Sequence, residues 1–229
     1  TDAETAGLPD PVRAFFAAAI VPGTPLAPAV RLAIRGEIWL GGRWRSFRSQ
    51  EVLAPRTGLV WWGRVARVVS GGDCALGERG FLDWKLFGIK TVAHADGPDI
   101  LRSGLARAFA EGVLWAPTAV LPRCGVTWTA LSSSEIAATA STGYDDVELR
   151  LTLDADHRVV AAVFHRWGDP DATGTPALHP FGGEVTAWGT FAGVTIASRG
   201  FVGWGYGTPQ WPAGEFFRYE VTGCDLLTG

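Results

Sequence analysis

Between Val30 and Leu40 the chain alternates. Val30, Leu32, Ile34, Ile38 and Leu40 fall on one side; Arg31, Arg35, Glu37 and Trp39 fall on the other. A period of two points neighbouring side chains to opposite faces, so this segment reads as a strand with one face in a core and one in water. Gly41-Gly42 then supplies a tight turn, and "RWRSFRSQEVL" returns as the antiparallel partner. Everything else in the chain must help cover the apolar face of that hairpin.

Further strand signals follow. "GLVWWGRVARVV" predicts a third strand with Trp61 and Trp62 on opposite faces. "GFLDWKLFGIKTV" predicts another, with Leu82, Trp84 and Leu86 on one face and Phe81, Asp83, Lys85 and Phe87 on the other; Asp83 and Lys85 are expected to pair at the sheet surface. "GVTWTAL", "EIAATAS", "DDVELRLTL" and "RVVAAVFHRW" come later, the last two joined by the turn "DADHR". "GEVTAWGTFAGVTIASRGFVGWGY" and "GEFFRYEVTGCDL" complete the pattern. A sheet of roughly ten strands has to curl.

Two helices interrupt it. Residues 9–20 read as one, with Asp10 as cap, Pro11 at the first helical position, and Val12, Phe15, Phe16, Ala19 and Ile20 on one apolar face. The second runs from Pro98 to Val113, where Leu101, Leu105, Phe109 and Val113 step by four, and Pro117 prevents its continuation. An inserted helix can bury its apolar side only against the concave side of the sheet. The expected fold class is mainly β: a single curled antiparallel sheet with an N-terminal helix and an inserted helix covering the concave face. One domain is expected over residues 1–229.

Composition limits the partners. The net charge is −3 and no Lys/Arg-rich run occurs in the sequence, so no nucleic-acid partner is expected. The apolar run "VRAFFAAAIVPG" is too short to span a bilayer, so no integral membrane segment is expected. Cys74, Cys124 and Cys224 are odd in number and contain no C-x-x-C, which predicts a reducing, cytoplasmic setting without a disulfide framework or zinc site. A chain beginning at Thr1 and lacking methionine is also compatible with a removed leader. Nothing in the sequence specifies an oligomeric state.

The quoted segments, with "LPDPVRAFF", "IRGEIWLGGRWRSFRSQEVLAP", "WKLFG", "WAPTAVLP", "RWGDPD", "PFGGEV" and "SRGFVGWGYGTPQWPAGEFFRYEVT", resemble in order a bacterial protein family of unknown function, over roughly residues 8–223. That family is similar to the lipoprotein-carrier, LolA-like fold. The resemblance implies an incomplete antiparallel barrel whose hollow is covered by helices and holds acyl chains or other lipophilic molecules. It implies no specific activity. His94, His165 and His179 depart from the family pattern.

The densest polar stretch is "HRWGDPDATGTPALHPFGGE", residues 165–184. No G-x-S-x-G occurs, and the histidines and acids there match no compact metal-ligand spacing, so no metal or other cofactor is expected. Asp169 reads either as a turn residue accepting backbone N–H bonds and braced by Arg166, or as a polar group at a cavity rim. Eleven tryptophans either fill a core or line a cavity. Three readings follow. The first is a module that binds a hydrophobic, lipid-like or polycyclic small molecule through Trp62, Trp84, Trp115, Trp167, Trp204 and Tyr206, with Arg166 or Arg199 as polar anchor. The second is a cyclase or isomerase acting on a lipophilic natural-product intermediate in the same cavity, with Asp169, His165 or His179 as acid or base. The third is a structural or partner-binding protein with an exposed apolar patch.

Overall fold

The computed structural model describes residues 2–228 and the side chains of residues 3–228. Among the described residues, thirteen strands form one antiparallel sheet. They are β1 (Ala29–Trp39), β2 (Trp44–Ala54), β3 (Gly58–Val65), β4 (Val69–Leu76), β5 (Arg79–Leu86), β6 (Lys90–Asp96), β7 (Thr127–Ala130), β8 (Glu135–Ser141), β9 (Asp146–Leu153), β10 (Val159–Gly168), β11 (Ala177–Phe191), β12 (Val194–Trp204) and β13 (Glu215–Leu227). The helices are α1 (Asp2–Thr5), α2 (Asp10–Ala19), α3 (Pro98–Trp115) and α4 (Trp211–Gly214). The spatial order is β6-β5-β4-β3-β2-β1-β13-β12-β11-β10-β9-β8-β7. The two halves of the sheet are therefore two meanders joined where β1 meets β13. β6 and β7 are the free edges, and the barrel stays open.

α3 touches β2 to β6 from one half and β9, β10 and β12 from the other, so the sheet wraps around it. Its burial is correspondingly broad: Leu101, Ala106, Ala108, Phe109, Val113 and Trp115 are buried, while Leu105 is only partly covered. Small residues let the backbone come close. A Cβ on Gly104 would lie 2.4 Å from the Ala75 Cβ, and one on Gly112 would lie 2.2 Å from the Pro55 Cγ. α2 closes the other end, where Phe15 and Phe16 pack on Trp128 with ring centroids 5.4 and 5.0 Å apart.

The structure differs from the sequence expectation in four places. Residues 58–69 are not one strand: β3 ends at Val65, and Ala66 and Arg67 adopt left-handed backbone, with φ of 48° and 64°, before β4. Residues 80–92 likewise fold into β5 and β6 around Phe87, with φ of 52°. The Ala66-Arg67 pivot lacks the usual glycine or asparagine signature, while at Phe87 the signature is reduced to the following Gly88, φ 72°. Asp10 is already helical and binds Arg13 at 2.6 Å, while Pro9 occupies the cap position. β11 begins at Ala177, so the connection after β10 is shorter than residues 168–183.

Candidate functional site

The inward positions of the strands and one side of α3 enclose a cavity of about 340 Å³. Its wall is a chain of aromatic rings. Trp84 meets Trp61 at 5.3 Å, Trp61 meets Phe217 at 6.4 Å, Phe217 meets Phe216 at 6.3 Å, and Phe216 meets Phe181 at 6.1 Å. Phe181 meets Trp204 at 5.0 Å and Phe164 at 5.7 Å. Trp115 and Tyr219 add an edge-on pair at 5.3 Å. Trp115 is fixed by donating its Nε1–H to the Ala197 carbonyl at 2.8 Å.

Charges stand against this apolar wall. Arg107 on α3 reaches Glu111 at 2.7 Å, Asp73 at 3.1 Å and Glu51 at 3.6 Å. The register explains the gathering: Glu51, Trp61 and Asp73 are direct neighbours across β2, β3 and β4 on the inner face. Trp84 donates its Nε1–H to Asp73 at 3.1 Å. Burial works against the Arg107 charge, but Glu111, Glu51 and Asp73 outweigh it and hold its pKa above the ordinary guanidinium value. Glu51 is 1% exposed. Burial, reinforced by the Glu111 charge and only partly opposed by Arg107, pushes its pKa well above the usual carboxylate value. A proton held on Glu51 can be donated towards Glu111, whose Oε2 has no other partner among the described residues.

Arg166, from β10, is different. Its Nε donates to Ser103 Oγ at 3.0 Å, and its guanidinium lies 4.8 Å from the Phe181 ring centroid and 5.5 Å from that of Trp204. Among the described residues no carboxylate is within ion-pair distance of it. Burial and the nearby Arg107 charge push its pKa down to about 10, against the pull of Glu111 and Asp73. A guanidinium in that setting favours any anion that brings it a partner.

Of the sequence candidates, Trp84, Trp115, Arg166 and Trp204 come together in the cavity wall. Trp62 is 55% exposed on the outer face; the period of two gives the inward place to Trp61 instead. Arg199 is also outside, 3.4 Å from Glu220. Trp167 lies under the Arg102 guanidinium at 3.7 Å and does not line the cavity. Tyr206 stacks edge-on with Trp211 at 4.8 Å, and its phenol pKa is raised by burial and by Glu184.

The proposed acids and bases lie elsewhere. Asp169 accepts from the Thr173 and Gly174 backbone N–H groups at 2.9 and 2.7 Å and from the Thr173 hydroxyl at 2.9 Å. Those bonds, the Thr173 backbone first, hold its pKa below the usual carboxylate value. Arg166 does not brace it. His165 is exposed and His179 stands edge-on to Trp204 at 6.3 Å; neither lines the cavity. Among the described residues no group of three metal-ligating side chains is assembled.

The sequence reading missed Glu51, Asp73, Arg107 and Glu111. A signal was present for three of them. Continuing the alternation from Phe47 to Leu53 places Glu51 inward, and Arg107 and Glu111 stand one helical turn apart beside the apolar stripe of α3.

The chain matches the model of a family of unknown function, DUF6544, over residues 1–216. It belongs to that family. No curated protein matches it. Two solved structures are similar to it at low identity. One is a domain named for outer membrane lipoprotein sorting, from Vibrio parahaemolyticus: 9% identity over 96% of this chain and 92% of that one, TM-score 0.46. The other is a LolA superfamily protein from Nitrosomonas europaea: 13% identity over 95% and 94%, TM-score 0.45. Among the described residues no helix is long and apolar enough to cross a membrane.

Proposed function

We propose that this protein binds a hydrophobic small molecule, lipid-like or polycyclic, inside the aromatic cavity. Trp61, Trp84, Trp115 and Trp204 supply apolar contact, and Arg166 holds a polar or acidic end of the ligand. The observation that carries this reading is Arg166 itself: a guanidinium against aromatic rings, with no carboxylate partner among the described residues, in a cavity of about 340 Å³. That volume falls in the range of small-molecule sites, which are apolar and aromatic with a few polar groups fixing orientation. Arg107 is already occupied by its carboxylates and serves as scaffold. The three cysteines are free, which supports a reducing compartment, taken here as the cytoplasm.

The test is titration with two naphthalene dyes of similar shape, one sulfonated and one neutral, read by dye emission and by quenching of the cavity tryptophans. Both dyes should bind saturably at one site and be displaced by a long-chain carboxylate. Arg166→Met should weaken the sulfonated dye by about tenfold or more and the neutral dye far less. Linear, unsaturable uptake of both dyes would remove the binding reading. Equal effects of Arg166→Met on both dyes would remove Arg166 as the anchor.

A further inference from the structure

The first six strands form a meander, so the turns β1–β2, β3–β4 and β5–β6 leave the sheet at the same end and stand side by side. At about 4.8 Å per strand they spread over roughly 25 Å. Large apolar side chains project there. Trp39 and Leu40 are each 46% exposed, Phe87 is 70% exposed and Ile89 is 86% exposed. Phe87 holds left-handed backbone, φ 52°, where glycine or asparagine would cost less. Packing inside the protein does not explain a phenylalanine in that place.

The same end is basic. Residues 38–50, 64–72 and 84–95 contain Arg43, Arg45, Arg48, Arg64, Arg67, Lys85 and Lys90 and no Asp or Glu, in a chain whose net charge is −3; the adjoining Glu37 faces Arg218 at 3.8 Å. Both lysines of the chain flank the β5–β6 turn, as "KLFGIK". Lys85 is paired with Asp83 at 3.2 Å. Arg43, Arg67 and Lys90 are exposed and have no acidic partner among the described residues. Just behind the turns, Arg35, Arg48 and Arg64 face one another directly across β1, β2 and β3, with Arg35 alone answered, by Glu220 at 2.9 Å. Like charges placed opposite one another in a sheet weaken it, so they are not there for stability.

We propose that this end of the sheet docks on an anionic lipid bilayer. The cations meet headgroup phosphates, and Phe87, Ile89, Leu40 and Trp39 enter the boundary between headgroups and acyl chains. A nucleic acid or an acidic protein would answer the charge, but only a bilayer also offers an apolar layer behind the anions to projecting Phe and Ile side chains. The cavity lies towards the same end: Ile38, Trp84, Arg166, Phe181, Trp204 and Phe217 all sit near the strand ends on that side. The docking surface stands on its own observations, whatever the cavity holds.

The experiment is co-sedimentation of the full chain with phosphatidylcholine vesicles with and without phosphatidylglycerol, at low and high salt. The protein should sediment with the phosphatidylglycerol vesicles and be released by salt. Arg67→Gln with Lys90→Gln should weaken binding by about 25-fold, since each charge near the surface contributes about fivefold. Phe87→Asn with Ile89→Ser should weaken it by about tenfold or more, and asparagine suits the left-handed backbone. Arg150→Gln, on exposed β9 away from this end, should change nothing. Sedimentation that ignores phosphatidylglycerol, equal loss from Arg150→Gln, unchanged binding by both double variants, or retention on duplex DNA without vesicle binding would each overturn the proposal.

Discussion

Replacing Glu51 with glutamine isolates one buried proton. Glu51 is 1% exposed, lies 3.6 Å from Arg107, and among the described residues its two oxygens accept no hydrogen bond. Its folded pKa stands well above 4.5, through burial first and the Glu111 charge second. A carboxyl that keeps its proton in the fold but releases it when unfolded makes the folded state proton-rich. Stability therefore falls as pH rises from the unfolded pKa, by up to about 1.4 kcal/mol per pH unit for one proton, and levels off above the folded pKa. Glutamine has the same shape, carries no charge, and can still donate to Glu111. The wild type minus Glu51→Gln difference in unfolding free energy, from urea titrations across the pH range 4 to 8, cancels every other titrating group to first order. It should be close to zero near pH 4 and turn against the wild type with that slope as pH rises. Two parallel curves would show that Glu51 has the same affinity for protons folded and unfolded, and the account of the buried cluster would fail. A difference favouring the wild type more at higher pH would reverse its sign and show that Arg107 dominates over burial.

Three further outcomes test the scaffold. Gly112→Ala should lower stability by about 1–3 kcal/mol, because the new methyl would lie 2.2 Å from the Pro55 Cγ; thermal melting reads it, and an unchanged melt would mean that α3 has slack against the sheet. Trp115→Phe should cost about 1–3 kcal/mol by removing the side-chain donor on the buried Ala197 carbonyl, with urea unfolding as the measure. Asp169→Ala should loosen the turn at Thr173 and Gly174 while leaving dye affinity intact. Because the Asp169 pKa is depressed, the wild-type advantage should be present above the unfolded value of 3.8 and disappear as pH falls through the folded one. Loss of dye binding in that variant would instead place Asp169 at the site.

The stretch at residues 165–184 shows how far local reading goes. Its polar density suggests one functional loop, yet its residues part ways. Arg166 and Phe181 occupy inward positions and line the cavity. Asp169 closes a turn through Thr173 and Gly174, and His165 faces out. Alternation on a strand separates Arg166 from His165 and Trp167, although only the start of β11 at Ala177 fixes which positions opposite them are paired. The two missed hairpins have different causes: Ala66-Arg67 turns the chain in left-handed backbone without glycine, so no local signal marks it, whereas at Phe87 the following Gly88, φ 72°, marks the turn inside an otherwise strand-like run.

By itself the sequence determined the elements that a two-residue or 3.6-residue period can encode: most strands, both main helices, a curled antiparallel sheet and an aromatic-rich interior. Those are local properties, set by which way each side chain points. The tertiary structure alone decided which charges meet. Glu51, Asp73, Arg107 and Glu111 are spread over sixty residues of sequence and are joined by cross-strand register and by the helix laid inside the curl. Arg43, Arg67 and Lys90 are likewise dispersed along a chain with no basic run, and a six-stranded meander brings them to one end beside Phe87 and Ile89. Strand pairing converts separation along the chain into neighbourhood in space, and no local period carries that information.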